Sequence, residues 1–439
     1  MIDRALPFLA LAMALAPTSS AQEQRRGVVE ELQTAPEGRS GEWVIGGQSF
    51  LASASTVFGG AASPTAGTLM AVEYLLSDGV AHALRIDALT MRVEEVTDGP
   101  YVLWKDPTTA EVITFENGKS RREVFEDLDR PRTIKGLPGP ESQLTLDPRL
   151  PTPPASSFEA PSRLLAISDL EGQYDNARRF LCNNGVVDAE GRWTWGDGHL
   201  VLIGDLVDRG PRVTELMCFL RQLEREAQAA GGMLHYVLGN HEAMVMAGDL
   251  RYLHPKYHFT SRRIGIPYDA LHSPASDIGR WWRTKNSVVR VGELLFVHAG
   301  YSPLLDRAQL DMDTLNDRVR QGLAPARPRG TTVESNPAQH MHGPLWYRGY
   351  FDRHAAQWGG KATDEEVQRI LRRHGARHIV IGHTLVDEVG PIDESGRILA
   401  IDTQWTTARK AQGLLCEDGK LWRVTMSAER TLLTSGESD

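Results

Sequence analysis

The chain has 439 residues, 41% hydrophobic and 24% charged, which suits a soluble protein of two or three domains with enough material for a large core. The formal net charge is −9 and no long Lys/Arg block occurs. That balance argues against nucleic acid or an anionic membrane surface as a partner.

The first residues read as a secretory signal. Arg4 gives a positive start, residues 5–16 are apolar, and Ser19, Ser20 and Ala21 are the small residues of a cleavage site. The apolar stretch falls short of the roughly 20 residues a spanning helix needs, so cleavage is expected rather than anchoring. A signal peptide over 1–21 predicts a mature chain that begins near Gln22, is periplasmic or secreted, and has no transmembrane anchor. Of the three cysteines, Cys182 and Cys218 are free to bond if their helices lie adjacent. Buried thiols are the expected state, since cysteine is among the most buried residue types.

Residues 41–146 are expected to form a small β-rich domain of unknown role. Apolar runs at 69–76, 80–93, 101–104 and 111–115 are separated by Ser77-Asp78-Gly79, Asp98-Gly99-Pro100 and Glu116-Asn117-Gly118, which are turn signals. Alternation at Leu84, Ile86, Leu89, Met91 and Val93 predicts antiparallel strands with one wet face. Residues 147–162, rich in Pro and Ser, read as a linker.

From Arg163 the pattern becomes α/β. Strands are expected at 164–167, 200–203, 233–238, 294–297, 379–381 and 399–401. Helices are expected at 175–183 and after Pro211, where Val213, Leu216, Met217, Leu220 and Leu223 share a face.

The chemistry sits at the ends of these strands. Five successive apolar runs end in Asp169-Leu170-Glu171-Gly172, Gly204-Asp205-Leu206-Val207-Asp208-Arg209-Gly210, Gly239-Asn240-His241-Glu242, His298-Ala299-Gly300 and Gly382-His383-Thr384. Ligands of α/β sheets gather beyond the carboxyl ends of the strands, and glycine there permits tight turns and close approach. A mixed set of carboxylates and imidazoles suits Mn, Fe, Zn or Co, whereas an all-oxygen cage suits Mg or Ca. Such a mixed set fits a two-metal centre that clamps a phosphoryl oxygen.

The segments GDLVDRG, GNHE, HAG and GH resemble the phosphoprotein-phosphatase branch of the calcineurin-like metallophosphoesterases. The longer stretches GNHEAMVMAGDLRYL, FVHAGYSP, HGPLWYRGY and IVIGHT narrow this to the Shewanella-like protein phosphatases, over residues 163–424. The resemblance implies a β-sandwich flanked by helices, with the site at one rim and two metal ions, Mn, Fe or Zn. It makes Asp169, Glu171 and Asp205 ligands of the first metal. Asp205 bridges to the second, which also takes Asn240, His298 and His383. His241 is the general acid, oriented by Asp208, and Arg209 and Arg348 hold phosphate oxygens. A metal-bridging hydroxide then attacks phosphorus, and a protein phosphatase with a tilt towards phosphotyrosine is the implied activity.

The sequence departs from that pattern at Glu171, where a histidine is expected. Glutamate reaches a metal but adds a negative charge, so a retuned site is expected. Other functions stay open: a small-molecule phosphatase, a dinucleotide polyphosphate hydrolase, or a pseudophosphatase that binds without turnover. Bland roles compete residue by residue. Asp208–Arg209 suits a structural ion pair and Arg348 a solvated loop. His235, His258, His272 and His374 suit structural positions, and Trp193, Trp195, Trp281 and Trp282 suit packing. Residues 248–265, with Arg251, Lys256, Arg262 and Arg263, either line the cleft or form a solvated loop.

Overall fold

A computed structural model describes residues 24–36, 39–60, 64–77, 80–135, 143–323 and 332–434. The expected signal segment and the new N-terminus near Gln22 lie outside these residues.

The first unit is a closed barrel of β1 (Gln24–Thr34), β2 (Gly41–Ile45), β3 (Gln48–Gly60), β4 (Thr68–Ser77) and β5 (Val80–Arg92), in the order β1-β2-β3-β5-β4. It begins before residue 41, so the expected domain start needs correction. β1 carries few apolar residues: Val28 and Leu32 are buried in the barrel's own core, and Val29 is buried on the opposite face. The pairing is also not wholly antiparallel, because β3 runs parallel to β5. This is the Greek-key barrel order of the OB-fold class, an architecture that does not by itself assign a function.

A second unit comes next: an antiparallel sheet of β6 (Asp98–Asp106), β7 (Thr109–Glu116) and β8 (Lys119–Phe125), then the pair β9 (Arg132–Lys135) and β10 (Gln143–Leu146). The barrel has its own core around Trp43, Phe50 and Ile86. Its Val29, Leu69 and Ala71, with Tyr101, Ile113 and Phe115 of the sheet, instead belong to the main core of the succeeding domain. The expected linker is partly structural too, since β11 (Ser157–Phe158) pairs in parallel at the edge of that domain.

The main domain contains β12 (Arg163–Ile167), α1 (Tyr174–Asn183), β13 (His199–Ile203), α2 (Val213–Ala229), β14 (Met233–Val237), α3 (Asn240–Met246), α4 (Pro255–Ile264) and α5 (Asp277–Trp282). Next come β15 (Val288–Val291), β16 (Leu294–Val297), α6 (Pro303–Arg307), α7 (Met312–Gln321), α8 (Asp364–His374), β17 (His378–Ile381), β18 (Gly390–Pro391) and β19 (Ile398–Ala400). The last strands are β20 (Gln412–Glu417), β21 (Lys420–Thr425) and β22 (Arg430–Thr434). They form two six-stranded sheets, β14-β13-β12-β20-β21-β22 and β11-β15-β16-β17-β19-β18.

The apolar runs are continuous because both strand faces are covered. Successive side chains point to opposite faces. Leu164, Ala166, Val201 and Ile203 therefore meet Leu294, Phe296, Val380 and Leu399 between the sheets. Leu165, Ile167, Leu200, Leu202, Leu295 and Ile379 face the other way, into the core under the helices. Within the first sheet β12, β13 and β14 are parallel, and within the second β16, β17 and β19 are parallel. Their carboxyl ends supply the site. No described helix is long and apolar enough to cross a membrane.

Candidate active site

Three of the five predicted strand ends turn through left-handed residues. Asp169, Glu171, Asp205, Asp208, Arg209 and His383 all have left-handed backbones, with φ between 45° and 69°. This conformation is uncommon outside glycine, and its concentration here marks a segment held by its surroundings. Close approach also requires glycine at two points. A Cβ on Gly239 would strike Asp205 and Glu242, and one on Gly382 would strike Ser168 and Asp169.

The centre forms around His298, which is fully buried. Its Nδ1 lies 2.7 Å from the Ile203 carbonyl, which leaves Nε2 facing inward. Three acceptor atoms converge on that nitrogen: Asn240 Oδ1 at 3.0 Å, Asp205 Oδ2 at 3.2 Å and His383 Nδ1 at 3.2 Å. A ring fixed by a backbone carbonyl, with its other nitrogen aimed at carboxylate, amide and imidazole, is an arrangement that asks for a cation. Asp205, His298 and His383 also satisfy the spacing of a metal-binding group. Asp169 joins through His383, whose backbone N–H donates to Oδ1 and Oδ2 at 3.2 and 3.0 Å. Ser168 Oγ donates to the same carboxylate.

Electrostatics point the same way. Burial, reinforced by the Asp205 charge, pushes Asp169 up to about 6 against the pull of His298. Burial acts against a charged His298, but Asp205 outweighs it and raises the imidazole to about 9. His383 sits well below its ordinary value, through burial and the neighbouring His298 and Arg348. Burial also opposes charge on Asp205, yet His298 and His241 hold it below the usual carboxylate range. These buried carboxylates and imidazoles form a donor set that fits divalent metals with nitrogen and oxygen ligands.

Beside it, His241 Nδ1 meets Asp208 Oδ2 at 2.7 Å, and Nε2 lies 3.7 Å from Asp205 Oδ2. Burial disfavours a charged His241, but Asp205 and the hydrogen bond to Asp208 raise it overall. The His241 backbone N–H donates to Asp205 Oδ1 at 2.9 Å. Glu242 reaches back to the N–H groups of Gly239, Asp205 and Leu206 at 2.9, 3.1 and 2.9 Å, tying the GNHE and GDLVDRG turns together.

Glu171 is the exception. Its carboxylate pairs with Arg209 and is not grouped with His298. The possible Asp208–Arg209 pair is not formed, because Asp208 takes His241 and Arg209 takes Glu171. Arg348 is half-buried, donates to Thr384 Oγ1 at 3.2 Å and reaches within 3.5 Å of His383 Nδ1. It belongs to the site and is not a solvated loop residue. Arg209, His241, Arg251, Tyr252, Trp346 and Arg348 are among the residues lining a cleft of about 490 Å³.

Two further residues belong to the site, Tyr252 within the GNHEAMVMAGDLRYL stretch but given no role there, and Asp402 outside the motifs. Tyr252 packs 4.9 Å from the Arg209 guanidinium and 5.0 Å from the His241 ring. Asp402 is a sixth strand end, two residues beyond β19, and burial with the charges of Asp169 and Asp205 lifts it well above the usual range. The apolar run at 399–401 is the signal that could have found it, since an acid directly after such a run is the pattern of the other strand ends. The loop 248–265 divides: Arg251 and Tyr252 line the cleft, while Lys256, Tyr257 and Phe259 are buried. His235 pairs with His199, His272 stacks on Trp282, and His374 packs against Tyr301. Cys182, Cys218 and Cys416 are thiols.

A model of the calcineurin-like phosphoesterase family matches residues 162–387, and the chain belongs to that family. It is a metal-dependent phosphoesterase hydrolase. Its relatives support the Shewanella-like protein phosphatase branch. The chain is 28% identical over 280 residues to Shewanella-like protein phosphatase 2 of Arabidopsis thaliana, covering 52% of this chain and 68% of that protein. It is 32% identical over 258 residues to an uncharacterised protein of Schizosaccharomyces pombe, covering 56% and 74%. A crystal structure of a cold-active protein-tyrosine phosphatase from a psychrophilic Shewanella superposes with a TM-score of 0.70 and 29% identity, covering 77% of this chain and 100% of that one.

Proposed function

We propose that the protein is a dinuclear-metal phosphomonoesterase acting on phosphoproteins, with phosphotyrosine favoured. The observation that carries this reading is the convergence of Asp205, Asn240 and His383 on His298 beside the His241–Asp208 pair. Asp205, Asn240, His298 and His383 are assigned to one cation, and Asp169, Glu171 and Asp205 to the other. The mixed donor set suits Mn, Fe or Zn. Bound divalent metals supply fixed positive charge to phosphoryl oxygens and make a coordinated water acidic.

The chain's own residues supply the rest. Asp208 holds His241 Nδ1 at 2.7 Å, so Nε2 is the end that offers a proton to the leaving oxygen. The raised pKa of His241 keeps that proton available near neutrality. Arg209 and Arg348 line the cleft and meet the equatorial oxygens, where charge grows in the transition state. Tyr252 covers both His241 and Arg209 and limits water at the proton donor.

The cleft walls support an aryl ester. Met244, Tyr252, Met341, Trp346 and Trp358 give it an apolar, aromatic lining beside the two arginines. The protein-tyrosine phosphatase activity of the Shewanella relative supports the same preference. Metal-reconstituted protein assayed with matched phosphotyrosine and phosphoserine peptides tests it. A higher kcat/KM for phosphotyrosine is expected, and equal or reversed values overturn the preference.

We also propose export, on the basis of Arg4, the apolar residues 5–16 and the small residues Ser19–Ala21. N-terminal sequencing of the protein from a periplasmic or culture fraction should begin near Gln22. Recovery in the cytoplasm with Met1 intact overturns this.

A further inference from the structure

Asp98, at the start of β6, is buried at 3% exposure and lies outside the metal site. Four neutral donors satisfy it. Oδ1 accepts from the Gly99 N–H and from Thr214 Oγ1, both at 2.8 Å. Oδ2 accepts from Tyr101 OH at 2.9 Å and from Thr260 Oγ1. Two of these partners are local, but Thr214 opens α2 and Thr260 lies on α4. One carboxylate thus fixes three elements that are far apart in sequence.

Both helices lead to the site. Residues 205–212 run directly into α2, so Thr214 lies five residues from Arg209. Tyr257, on α4 one turn before Thr260, accepts from the Val213 N–H at 2.6 Å and donates to the Pro211 carbonyl at 3.0 Å. The Arg209 N–H donates to the Tyr252 carbonyl at 2.9 Å, just before α4. Tyr268 packs 5.2 Å from Tyr257.

The rest of the N-terminal region grips the same helix. Glu30 on β1 pairs with Arg262 and Arg263 at 3.0 Å each. Arg122 on β8 donates to the Ile264 carbonyl at 2.6 Å, at the helix C-terminus where cations are favoured. Phe115 on β7 meets Phe259 edge-on at 5.9 Å.

We propose that Asp98 is a positioning residue for the Asp208–Arg209 turn, and that the N-terminal β region is a brace for the active site. The proposal rests on the reading of His241 as the general acid and Arg209 as a phosphate ligand. A brace of this kind acts by geometry, and small misplacements of catalytic groups cost rate heavily.

Thr214 gives the test, because Thr214→Ser keeps the hydroxyl and Thr214→Val removes it. Turnover of phenyl phosphate depends on proton donation more than that of 4-nitrophenyl phosphate, whose leaving group is better. Thr214→Val is expected to lower kcat about tenfold on phenyl phosphate and about threefold on 4-nitrophenyl phosphate. Thr214→Ser should restore both. Hydrogen exchange should be faster at residues 205–213 in Thr214→Val alone. Equal losses on the two substrates, or a valine variant that behaves like the serine variant, overturn the brace. Thr260→Val opens the other arm and decides the matter if Thr214→Val does not fold. Failure of the parent reading looks different: wild type then shows no turnover, while exchange at 205–213 still reports on the brace.

Discussion

The two sides of the site behave differently. On the His298 side, Asp205, Asn240 and His383 converge within 3.2 Å on one nitrogen. On the other side, Asp169 is tied to the centre through the His383 N–H, but Glu171 turns to Arg209. The difference is one of charge. A neutral imidazole at position 171 would leave Arg209 without a carboxylate there, whereas glutamate pairs with Arg209 and, on the proposed reading, is claimed by a metal as well. On the proposed reading, this residue couples metal loading to the freedom of an arginine proposed to bind phosphate.

On the proposed reading Asp205 serves both metals, so Asp205→Asn should produce the largest effect. A loss of about a thousandfold in kcat is expected, the factor that about 4 kcal/mol of lost transition-state stabilisation represents. Turnover and metal content measured on the same sample check it. On the same reading, His241→Ala leaves both metal sides in place and removes the proposed proton donor. It should cost about 10²–10⁴-fold on phenyl phosphate and much less on 4-nitrophenyl phosphate.

The His298 side can be probed by pH. Burial lowers its pKa, but Asp205 outweighs burial and raises it to about 9, so on the proposed reading a metal bound at His298 displaces a proton. Metal affinity should fall about tenfold per unit as pH drops below 9. The slope should steepen below about 6, where Asp169, raised by burial, also takes up a proton. Calorimetric titration in two buffers of different protonation enthalpy measures the proton release directly. The smallest effect belongs to the Glu171 side. Glu171→His should keep turnover within about threefold, shift metal preference, and strengthen inhibition by inorganic phosphate as Arg209 is released. Unchanged metal preference together with unchanged phosphate inhibition would show that Glu171 is not a ligand.

Much of the main domain was legible because its strands are covered on both faces. Continuous apolar runs such as Leu200–Ile203 announce themselves, and the polar residues after them mark the site rim. The N-terminal region is harder. β1 spreads its few apolar residues among Gln, Arg and Glu, and the shared core of Val29, Tyr101 and Phe115 arises only from tertiary packing. Asp98 reads as part of an Asp-Gly-Pro turn, because nothing local distinguishes a turn aspartate from one that bonds residues 116 and 162 positions away. Glu171 was legible as a departure, but its partner was not. Arg209 is expected from the sequence to bind phosphate, and its pairing with Glu171 needs the folded turn to be seen.

The most direct test is metal titration into chelator-treated protein, with turnover of 4-nitrophenyl phosphate followed in parallel for wild type and Asp205→Asn. Wild-type activity should return as about two equivalents of Mn, Fe or Zn bind, while the variant stays inactive. Turnover that survives chelation, or an Asp205→Asn variant as active as wild type, would contradict a metal centre built on Asp205.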